Sequence, residues 1–219
     1  MTLPGMMPFG GLAAGGIIEM SLVDHAAANG ATVSYPSDIR AGDLLIGLTN
    51  TDPTTSFRAA SGFTSQIDFT DAGTTVMCTK IADGTETGAI GGFTGITVPI
   101  AEACIVMRGN RPVTKISKLL SGGHRAPGTP PTLSIAGSGT NTAKPRLAIF
   151  AFSASLTFDN SNISFTGTGF HSQNYVEGSV RLKSRTKLWK AGETGEDIDA
   201  IKYDTGSDNA VWGAIFELN

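Results

Sequence analysis

Five residues between positions 181 and 189 could take part in binding, because they alternate along one predicted strand. Side chains two residues apart on a strand point to the same face. The spacing therefore aligns a basic strip that ends in an aromatic ring: Arg181, Lys183, Arg185, Lys187 and Trp189. Such a strip suits an anionic partner, such as nucleic acid, an acidic polysaccharide or an acidic subunit. The alternative is a solvated strand face whose cations pair with the acidic phrase GETGEDID that follows.

The acidic residues after the strip raise the question of a metal site. Four of them could bind calcium in a surface loop: Glu193, Glu196, Asp197 and Asp199. The alternating oxygen ligands of a dedicated calcium loop are absent from this phrase. The three histidines lie far apart in the sequence and lack the spacing of a zinc site: His25, His124 and His171. We expect no cofactor, with structural calcium left open.

Motifs for hydrolysis and for sugar recognition are equally sparse. Ser138 lies in AGSGT, but Ala136 and Thr140 stand where a nucleophile elbow requires glycine. Paired carboxylates for glycoside hydrolysis must converge in space, and the sequence does not show such a pair. Four aromatic residues could form a sugar-stacking platform: Tyr35, Tyr175, Trp189 and Trp212. We expect no enzymatic activity.

Composition favours one large β-rich domain. The chain has 219 residues, of which 40% are apolar and 16% are charged, whereas about 25% are charged in ordinary soluble domains. The net charge of −3 argues against a strongly basic protein that binds nucleic acid. Cys78 and Cys104 fall within apolar runs, where a free cysteine behaves as a small hydrophobic residue. We expect reduced thiols in preference to a disulfide.

Periodicity predicts strands along almost the whole chain. Short runs rich in Val, Ile, Thr and Phe recur about every ten residues between Gly, Pro, Asp or Asn, and no repeat of about 20 to 50 residues is visible. The predicted strands are Ile17–Val23, Ala31–Tyr35, Asp43–Thr49, Gly62–Asp68, Thr74–Ile81, Glu102–Arg108, Val113–Leu119, Pro131–Ala136, Pro145–Ser153, Ile163–Thr166, Gly178–Leu188, Ala200–Tyr203 and Ala210–Leu218. They predict an all-β, antiparallel two-sheet sandwich of the jelly-roll type over residues 17–219.

Three predicted strands are apolar on both faces: EACIVM, RLAIFAFSASL and AVWGAIFEL. A strand in a two-layer sandwich normally has one face in the core and one in water. The outer faces must therefore be covered by another segment of the chain or by a second subunit. A subunit is the more economical cover, so we expect a homo-oligomer, either a trimer or a pentamer. Its predicted interface residues are Phe150, Phe152, Trp212 and Phe216.

Residues 1–16 are uncharged and rich in glycine. A secretory signal begins with positive charge, but the first Lys or Arg of this sequence is Arg40. Pro4 and Pro8 interrupt any membrane-spanning helix, and no strand-loop-helix context marks a phosphate-binding loop. We interpret residues 1–16 as an extended N-terminal docking arm. Its contact residues are expected to be Met6, Met7, Phe9 and Leu12.

Several phrases follow one another in a characteristic order. They are AGDLLIGLTNTD, ASGFTSQIDF, TTVMCTKIADGTETG, ACIVMRGNRPV, PTLSIAG, KPRLAIFAFS and DNAVWGAIFEL. This order resembles a family of bacteriophage virion proteins, which includes head-spike, head-fibre and tail-associated proteins of tailed phages and gene transfer agents. The resemblance covers residues 40–219. The chain departs from the family at Met107, where an aromatic residue is usual, and in the basic strip.

The resemblance implies a jelly-roll protein without enzymatic activity, displayed on the virion as a symmetric oligomer and assembled in the host cytoplasm. The expected partners are other virion proteins of the capsid, portal, tail or fibre, with neither a membrane nor specific nucleic acid. No catalytic residues transfer from the family. The alternative function is a carbohydrate-binding module that recognises a host surface glycan through the aromatic platform and the basic strip.

Overall fold

The protein is all-β throughout the residues that its computed structural model describes. These are residues 19–28, 33–51, 59–69, 74–90, 99–125, 132–135, 144–154, 163–177, 180–202 and 210–219. They contain 13 strands and no helix, and all strand pairings are antiparallel. Accordingly, nothing in these ranges is a helix able to cross a bilayer. The predicted antiparallel β-sandwich is confirmed at this level, and the docking arm at 1–16 lies outside the described residues.

The first five strands form one sheet, sheet A. They are β1 (Met20–Ala28), β2 (Leu44–Thr51), β3 (Thr64–Phe69), β4 (Thr74–Ile81) and β5 (Pro99–Gly109). Across the sheet they lie in the order β1-β5-β2-β4-β3. β4 begins and ends at the predicted residues, because the glycine-containing phrases DAG and ADG flank its apolar run in the sequence.

The remaining strands form two further sheets. Sheet B contains β6 (Ile116–Arg125), β8 (Arg146–Ala154), β10 (His171–Glu177), β11 (Val180–Trp189) and β13 (Ala210–Leu218) in the order β10-β11-β8-β13-β6. Sheet C contains β7 (Thr132–Ile135), β9 (Ile163–Phe165) and β12 (Ile198–Lys202) in the order β7-β12-β9. Strand β10 was not among the predicted strands.

Apolar clusters occupy both faces of sheet B. Leu147, Ile149 and Ala151 pack in the cluster between sheets A and B, whereas the alternate residues of β8 pack in a cluster with sheet C. The outer face of sheet A carries a third cluster. It is closed by residues 33–35, 59–63 and 82–90, which we call the cover of sheet A. The two-faced apolar strands are therefore explained by layers within one chain.

This layering corrects the interpretation of the four residues expected at a subunit interface. Phe150 and Phe152 face sheet C, whereas Trp212 and Phe216 face sheet A. All four are completely buried within one chain and offer no surface to a second copy. The cover is another segment of the chain, which is the explanation that the sequence left open. A homo-oligomer through other surfaces stays a prediction.

The strand order does not reproduce the expected jelly roll. In a jelly roll, most successive strands cross from one sheet to the other, whereas here β1 to β5 all belong to sheet A. Periodicity identifies strands but contains no information about which strands become neighbours, so the sequence pattern did not distinguish these topologies. The chain adds a third layer instead of alternating between two.

Sheets A and B share one topology. Each sheet has five strands. Across sheet A, the first strand is followed by the fifth, the second, the fourth and the third. The five strands of sheet B, starting at its β6 edge, have the same order, β6-β13-β8-β11-β10. The registers agree as well. Leu44 pairs with Ile81 and Met107 in sheet A, and Leu147 pairs with Leu188 and Phe216 in sheet B. The chain thus consists of two structurally equivalent halves, β1–β5 and β6–β13.

One register irregularity recurs at an equivalent position, whereas those in the pairings of β3 with β4 and of β2 with β5 have no counterpart in sheet B. The pairing of β1 with β5 skips Val23, and the pairing of β6 with β13 skips Leu119. Each half also closes with the same backbone hydrogen bond. The N–H of Asn110 donates to the carbonyl of Glu19 (3.1 Å), and the N–H of Asn219 donates to that of Lys115 (2.9 Å).

The packing between the halves has approximate two-fold symmetry. β1 lies against β10, and their equivalents in the other half, β6 and β3, also lie against each other. In the same way, β5 lies against β11, and their equivalents β13 and β4 contact each other. Sheets A and B therefore meet as two subunits of a two-fold dimer would.

The symmetry predicts that a circular permutant folds. Residues 111–114 carry the chain from Asn110 to Lys115, so a linker of the same length should join Asn219 to Glu19. We expect the permutant running from 115 to 219 and then from 19 to 110 to match the thermal unfolding of a 19–219 control. Circular dichroism measures this. A permutant that folds only with a much longer linker would contradict the symmetry.

Candidate functional site

A short local structure occurs once in each half. The phrases GFTSQ and GFHSQ begin at Gly62 and Gly169, and each glycine has positive φ, 80° and 66°, a conformation that favours glycine. The strand that pairs with each phrase carries TKI or TKL. Thr64 pairs with Thr79, and His171 pairs with Thr186. The two phrases therefore occupy equivalent positions at the edges of sheets A and B.

The lysine of each copy forms an ion pair with a glutamate beyond the strand. Lys80 Nζ lies 2.9 Å from Glu86 Oε1, and Lys187 Nζ lies 2.5 Å from Glu196 Oε1. Lys187 also donates to the carbonyl oxygen of Thr168 at 2.7 Å. The ammonium groups lie over aromatic rings, 5.7 Å from the Tyr35 centroid for Lys80 and 5.5 Å from the Phe170 centroid for Lys187.

These ion pairs shift both carboxyl groups in the same direction. Burial by itself would raise the pKa of Glu86 and of Glu196. The hydrogen bonds from Lys80 and from Lys187, respectively, reverse this effect with help from backbone amides, so that each pKa lies below its ordinary value. Both carboxyl groups are therefore ionised at neutral pH. Glu86 also accepts the N–H groups of Asp83 and Gly84, and Glu196 also accepts the hydroxyl and N–H of Thr168.

A cleft opens beside each of these local structures. The first cleft, of about 510 Å³, lies where β1 faces β10 and β11. Its floor is apolar, with Leu22, Met107 and Leu188, and its rim carries the side chains of Glu19, Ser21, His171, Thr186, Lys187 and Lys190. The rim thus combines two ammonium groups, two hydroxyl groups, an imidazole and one carboxylate above an apolar floor.

The second cleft, of about 370 Å³, lies at the opposite edge and is the equivalent of the first. Gly62, Thr79 and Lys80 take the places that Gly169, Thr186 and Lys187 have in the first cleft. The rest of its lining is Thr64, Gln66, Ile81, Thr114, Lys115 and Ile116. The amide of Gln66 donates to the hydroxyl of Thr79 at 2.8 Å.

The side chains around the two clefts suit the binding of a polar or anionic ligand. Hydroxyl, amide and ammonium groups can hold such a ligand, and the floor can pack against its apolar part. Among the described lining residues of either cleft, no nucleophile lies beside a base that a third group orients, the arrangement that covalent catalysis uses. Across the described ranges, no three His, Cys, Asp or Glu side chains group as metal ligands.

Most of the basic strip faces the interior of the chain. Lys183 and Trp189 are buried, and the guanidinium group of Arg185 lies 4.7 Å from the ring centroid of Phe165. Burial lowers the pKa of Lys183 and of Arg185. Lys187 is the member that lines a cleft, and its pairing with Glu196 agrees with the alternative of an acidic phrase that neutralises the strip. The Arg181 side chain lies outside the described residues.

Three of the four acidic residues considered for calcium, Glu193, Glu196 and Asp199, have separate contacts in the described structure. Glu193 accepts the N–H of Lys190, and Asp199 accepts the hydroxyl of Ser134. Glu196 is bound to Lys187, as described above. These carboxylates do not form one of the groups that could hold a metal ion.

The aromatic platform is not assembled in the described residues. Trp189 and Trp212 are buried, Tyr35 is half-buried against Phe63, and the Tyr175 side chain lies outside the described set. Both cysteines are free and buried, as expected. Cys78 and Cys104 lie on either side of Gly47 in the sheet, and a separation of two strands is about 10 Å, which is too far for a disulfide.

Comparison with family models, with curated proteins and with solved structures finds no match to this chain. The resemblance to virion proteins is an expectation from the sequence phrases alone.

Sequence analysis missed the matched clefts because they depend on the repeat. The two halves are about a hundred residues long, above the length at which a tandem repeat is usually sought, and their sequences have diverged almost everywhere. The phrase GF-x-SQ, followed in each half by Thr-Lys, is the feature that could have revealed them.

The ion pairs predict matched effects of two substitutions. Glu196→Gln should lower the free energy of unfolding at neutral pH by about 1 kcal/mol. Because the folded pKa of Glu196 is depressed, the loss should vanish as pH falls below the ordinary glutamate range. Glu86→Gln should cost more, since the Glu86 side chain is 1% exposed against 30% for Glu196. Denaturant unfolding at two pH values measures both effects.

Glu193→Gln is the matched control, because it removes an exposed charge while keeping an acceptor for the Lys190 amide. Its effect should stay within about 0.5 kcal/mol. Equal losses for Glu193→Gln and Glu196→Gln would show that the ion pair contributes nothing specific.

Proposed function

We propose that the protein is a non-enzymatic structural protein of the virion of a tailed phage or phage-like particle. In this proposal it serves as a head-spike or head-fibre base, a capsid decoration or a tail-associated protein. It forms symmetric oligomers and docks on capsid, portal, tail or fibre proteins through residues 1–16. It is assembled in the host cytoplasm, with neither a membrane nor specific nucleic acid as a partner.

The observation that carries this proposal is the position of the resembling phrases in the fold. AGDLLIGLTNTD contains β2, ASGFTSQIDF contains β3, TTVMCTKIADGTETG contains β4 and DNAVWGAIFEL contains β13. Each of these four phrases therefore contains one complete strand of sheet A or sheet B, and the phrases follow the order of the chain. An order of weak motifs that coincides with strands supports the resemblance better than scattered matches would.

The composition of the arm supports docking. Residues 1–16 are uncharged, with glycines that allow close approach to another surface and methionines that adapt to an irregular one. The cores formed by the described residues are assembled from the strands and their covers. In this proposal Met6, Met7, Phe9 and Leu12 bind a neighbouring virion protein.

The proposal predicts that deleting residues 1–16 abolishes incorporation into the particle while the sandwich still folds. Apolar anchors provide the docking energy, so replacing Met6, Met7, Phe9 and Leu12 together with serine should give the same loss. Mass spectrometry of purified particles measures incorporation, and circular dichroism checks the fold.

Serine at Ala13 and Ala14 is the control for the arm, because it adds polarity without removing a large apolar side chain. We expect normal incorporation of this variant. Particles that contain the deletion variant at wild-type copy number would refute the docking role.

A second candidate function is carbohydrate binding, with a host surface glycan as the ligand. The observation in its favour is the pair of equivalent clefts, because hydroxyl, amide and ammonium groups above an apolar floor suit a sugar. Trp189 is buried and does not serve as a stacking residue, so Trp189→Ala would report on packing. Substitutions on the rims of the clefts test binding instead.

This second function predicts saturable binding on a glycan array at two equivalent sites. Lys190→Ala should weaken the first site and Lys115→Ala the second, and the double variant should lose at least tenfold in affinity. Lys144→Ala is the control, because Lys144 is exposed and lines neither cleft. Absence of binding to any glycan, or equal loss in the control, would remove this candidate.

A further inference from the structure

A carboxyl group is buried on the outer face of sheet A. Glu102 of β5 is 1% exposed, and neither of its carboxyl oxygens makes a hydrogen bond of normal geometry among the described residues. The backbone N–H of Val33, in the cover of sheet A, lies close enough to lower the pKa of Glu102, but burial raises that pKa by more. Glu102 shares this face with Cys104, because the two residues are two positions apart on β5. Buried polar groups are nearly always hydrogen-bonded, so this carboxyl destabilises the closed structure when it is ionised.

The other half of the chain shows what an ordinary residue at this position looks like. Gly47 pairs with Cys104 in sheet A, and Phe150 pairs with Gly213 at the equivalent place in sheet B. Glu102 lies two residues before Cys104 on β5, and Val211 lies two residues before Gly213 on β13. Val211 is completely buried in an apolar cluster. One half therefore carries a carboxyl group where its equivalent carries a methyl-bearing side chain.

Within the described residues, the layer above Glu102 contains less regular structure than the layer above Val211. Sheet C, with three strands, covers the outer face of sheet B. Over sheet A, the described residues 33–35 and 88–90 are joined by an isolated bridge between Ser34 and Ala89. Its hydrogen bonds run from Tyr35 N–H to the Gly88 carbonyl and from Ile90 N–H to the Val33 carbonyl, both 2.8 Å. Segments joined by few backbone hydrogen bonds open locally before the whole domain unfolds.

We propose that Glu102 is a proton-dependent switch for the cover of sheet A. While the carboxyl is protonated, the bridge between residues 33–35 and 88–90 closes over the apolar face. Loss of the proton favours the open state, in which the carboxylate reaches water and the apolar face with Cys78 and Cys104 becomes accessible.

The direction of the pH dependence follows from the two states. Burial raises the pKa of Glu102 to about 8 in the closed state, from an ordinary value of 4.5. At a pH between these two values, Glu102 is protonated in the closed state and ionised in the open state. Opening should therefore become roughly tenfold more favourable for each pH unit in this interval. Below and above the interval it should be constant, so that the cover is tightest in acid.

The thiols on this face do not titrate in the same interval. Burial raises the pKa of Cys78 to about 12 and that of Cys104 further still, so both are neutral. They also provide a chemical probe of opening, because the closed cover buries them.

The remaining ionisable groups near this face are also fixed in their charge. The Lys80–Glu86 pair and Tyr35 lie further along the face, and their pKa values are shifted away from neutrality. The hydrogen bond from Ser37 is the largest influence that lowers the pKa of Asp24 on β1. His25 pairs with Ile105, whose side chain belongs to the cluster between sheets A and B, so His25 lies on the opposite face from Glu102.

Hydrogen exchange of the full chain between about pH 5 and pH 8 tests the switch. Rates are corrected for intrinsic exchange, and the amides of Tyr35 and Ile90 report on the cover. We expect their protection to fall by roughly a hundredfold or more across this interval. The amide of Thr166, which donates to Asp199 in the layer over sheet B, is the internal control and should keep its protection. Labelling of Cys78 and Cys104, normalised to the unfolded chain, should rise in parallel.

Two substitutions separate the switch from a general loss of stability. Glu102→Gln should make the protection of Tyr35 and Ile90 independent of pH. Glu102→Val copies the other half and should hold the cover closed at every pH, so it also serves if the glutamine variant does not fold. A pH-independent wild type, a variant that keeps the dependence, or a parallel loss of protection at Thr166 would each overturn the proposal.

Discussion

Apolar side chains on both faces of sheet B are the constraint on which the rest of the structure depends. A sheet with two apolar faces is stable only when both are removed from water. Sheet A covers one face and sheet C the other, and this requirement makes a three-layer structure from a single chain. The same requirement places the strip residues Lys183 and Arg185 inside the chain, because they share the face of β11 that sheet C and its flanking aromatic residues enclose.

The two-fold relation between sheets A and B explains why the candidate site occurs twice. In each sheet, Thr-Lys lies near the end of the fourth strand and the third strand begins shortly after a glycine with positive φ, so the two sheets have the same local structure at this edge. The halves differ in the segments that cover their outer faces. They also differ at one position of the last strand, where Glu102 pairs with Thr49 in sheet A and Val211 pairs with Phe152 in sheet B. The shared strand arrangement explains why the cleft occurs twice, and the difference at this position explains why the buried carboxyl occurs in one half.

The elements were predicted from sequence better than their arrangement. β4 and β13 have the predicted bounds because turn residues flank continuous apolar runs, whereas β10 was missed because HSQNYVE contains few apolar residues. Its equivalent β3 was predicted, so a comparison of GFTSQ with GFHSQ would have found both. Of the candidate site, Lys187 and its pairing with the following acidic phrase were anticipated. The clefts and Glu102 depend on strand neighbours, which local patterns do not specify.

The joining of two equivalent halves in one chain also changes how their association responds to dilution. Two separate subunits with these faces would be paired only above a concentration set by their dissociation constant. The connection through residues 111–114 makes the same association intramolecular, so that it persists at any protein concentration. It also frees each half to vary without its copy varying too, which a homodimer encoded by one sequence does not allow. A lone Glu102 is one result of that freedom.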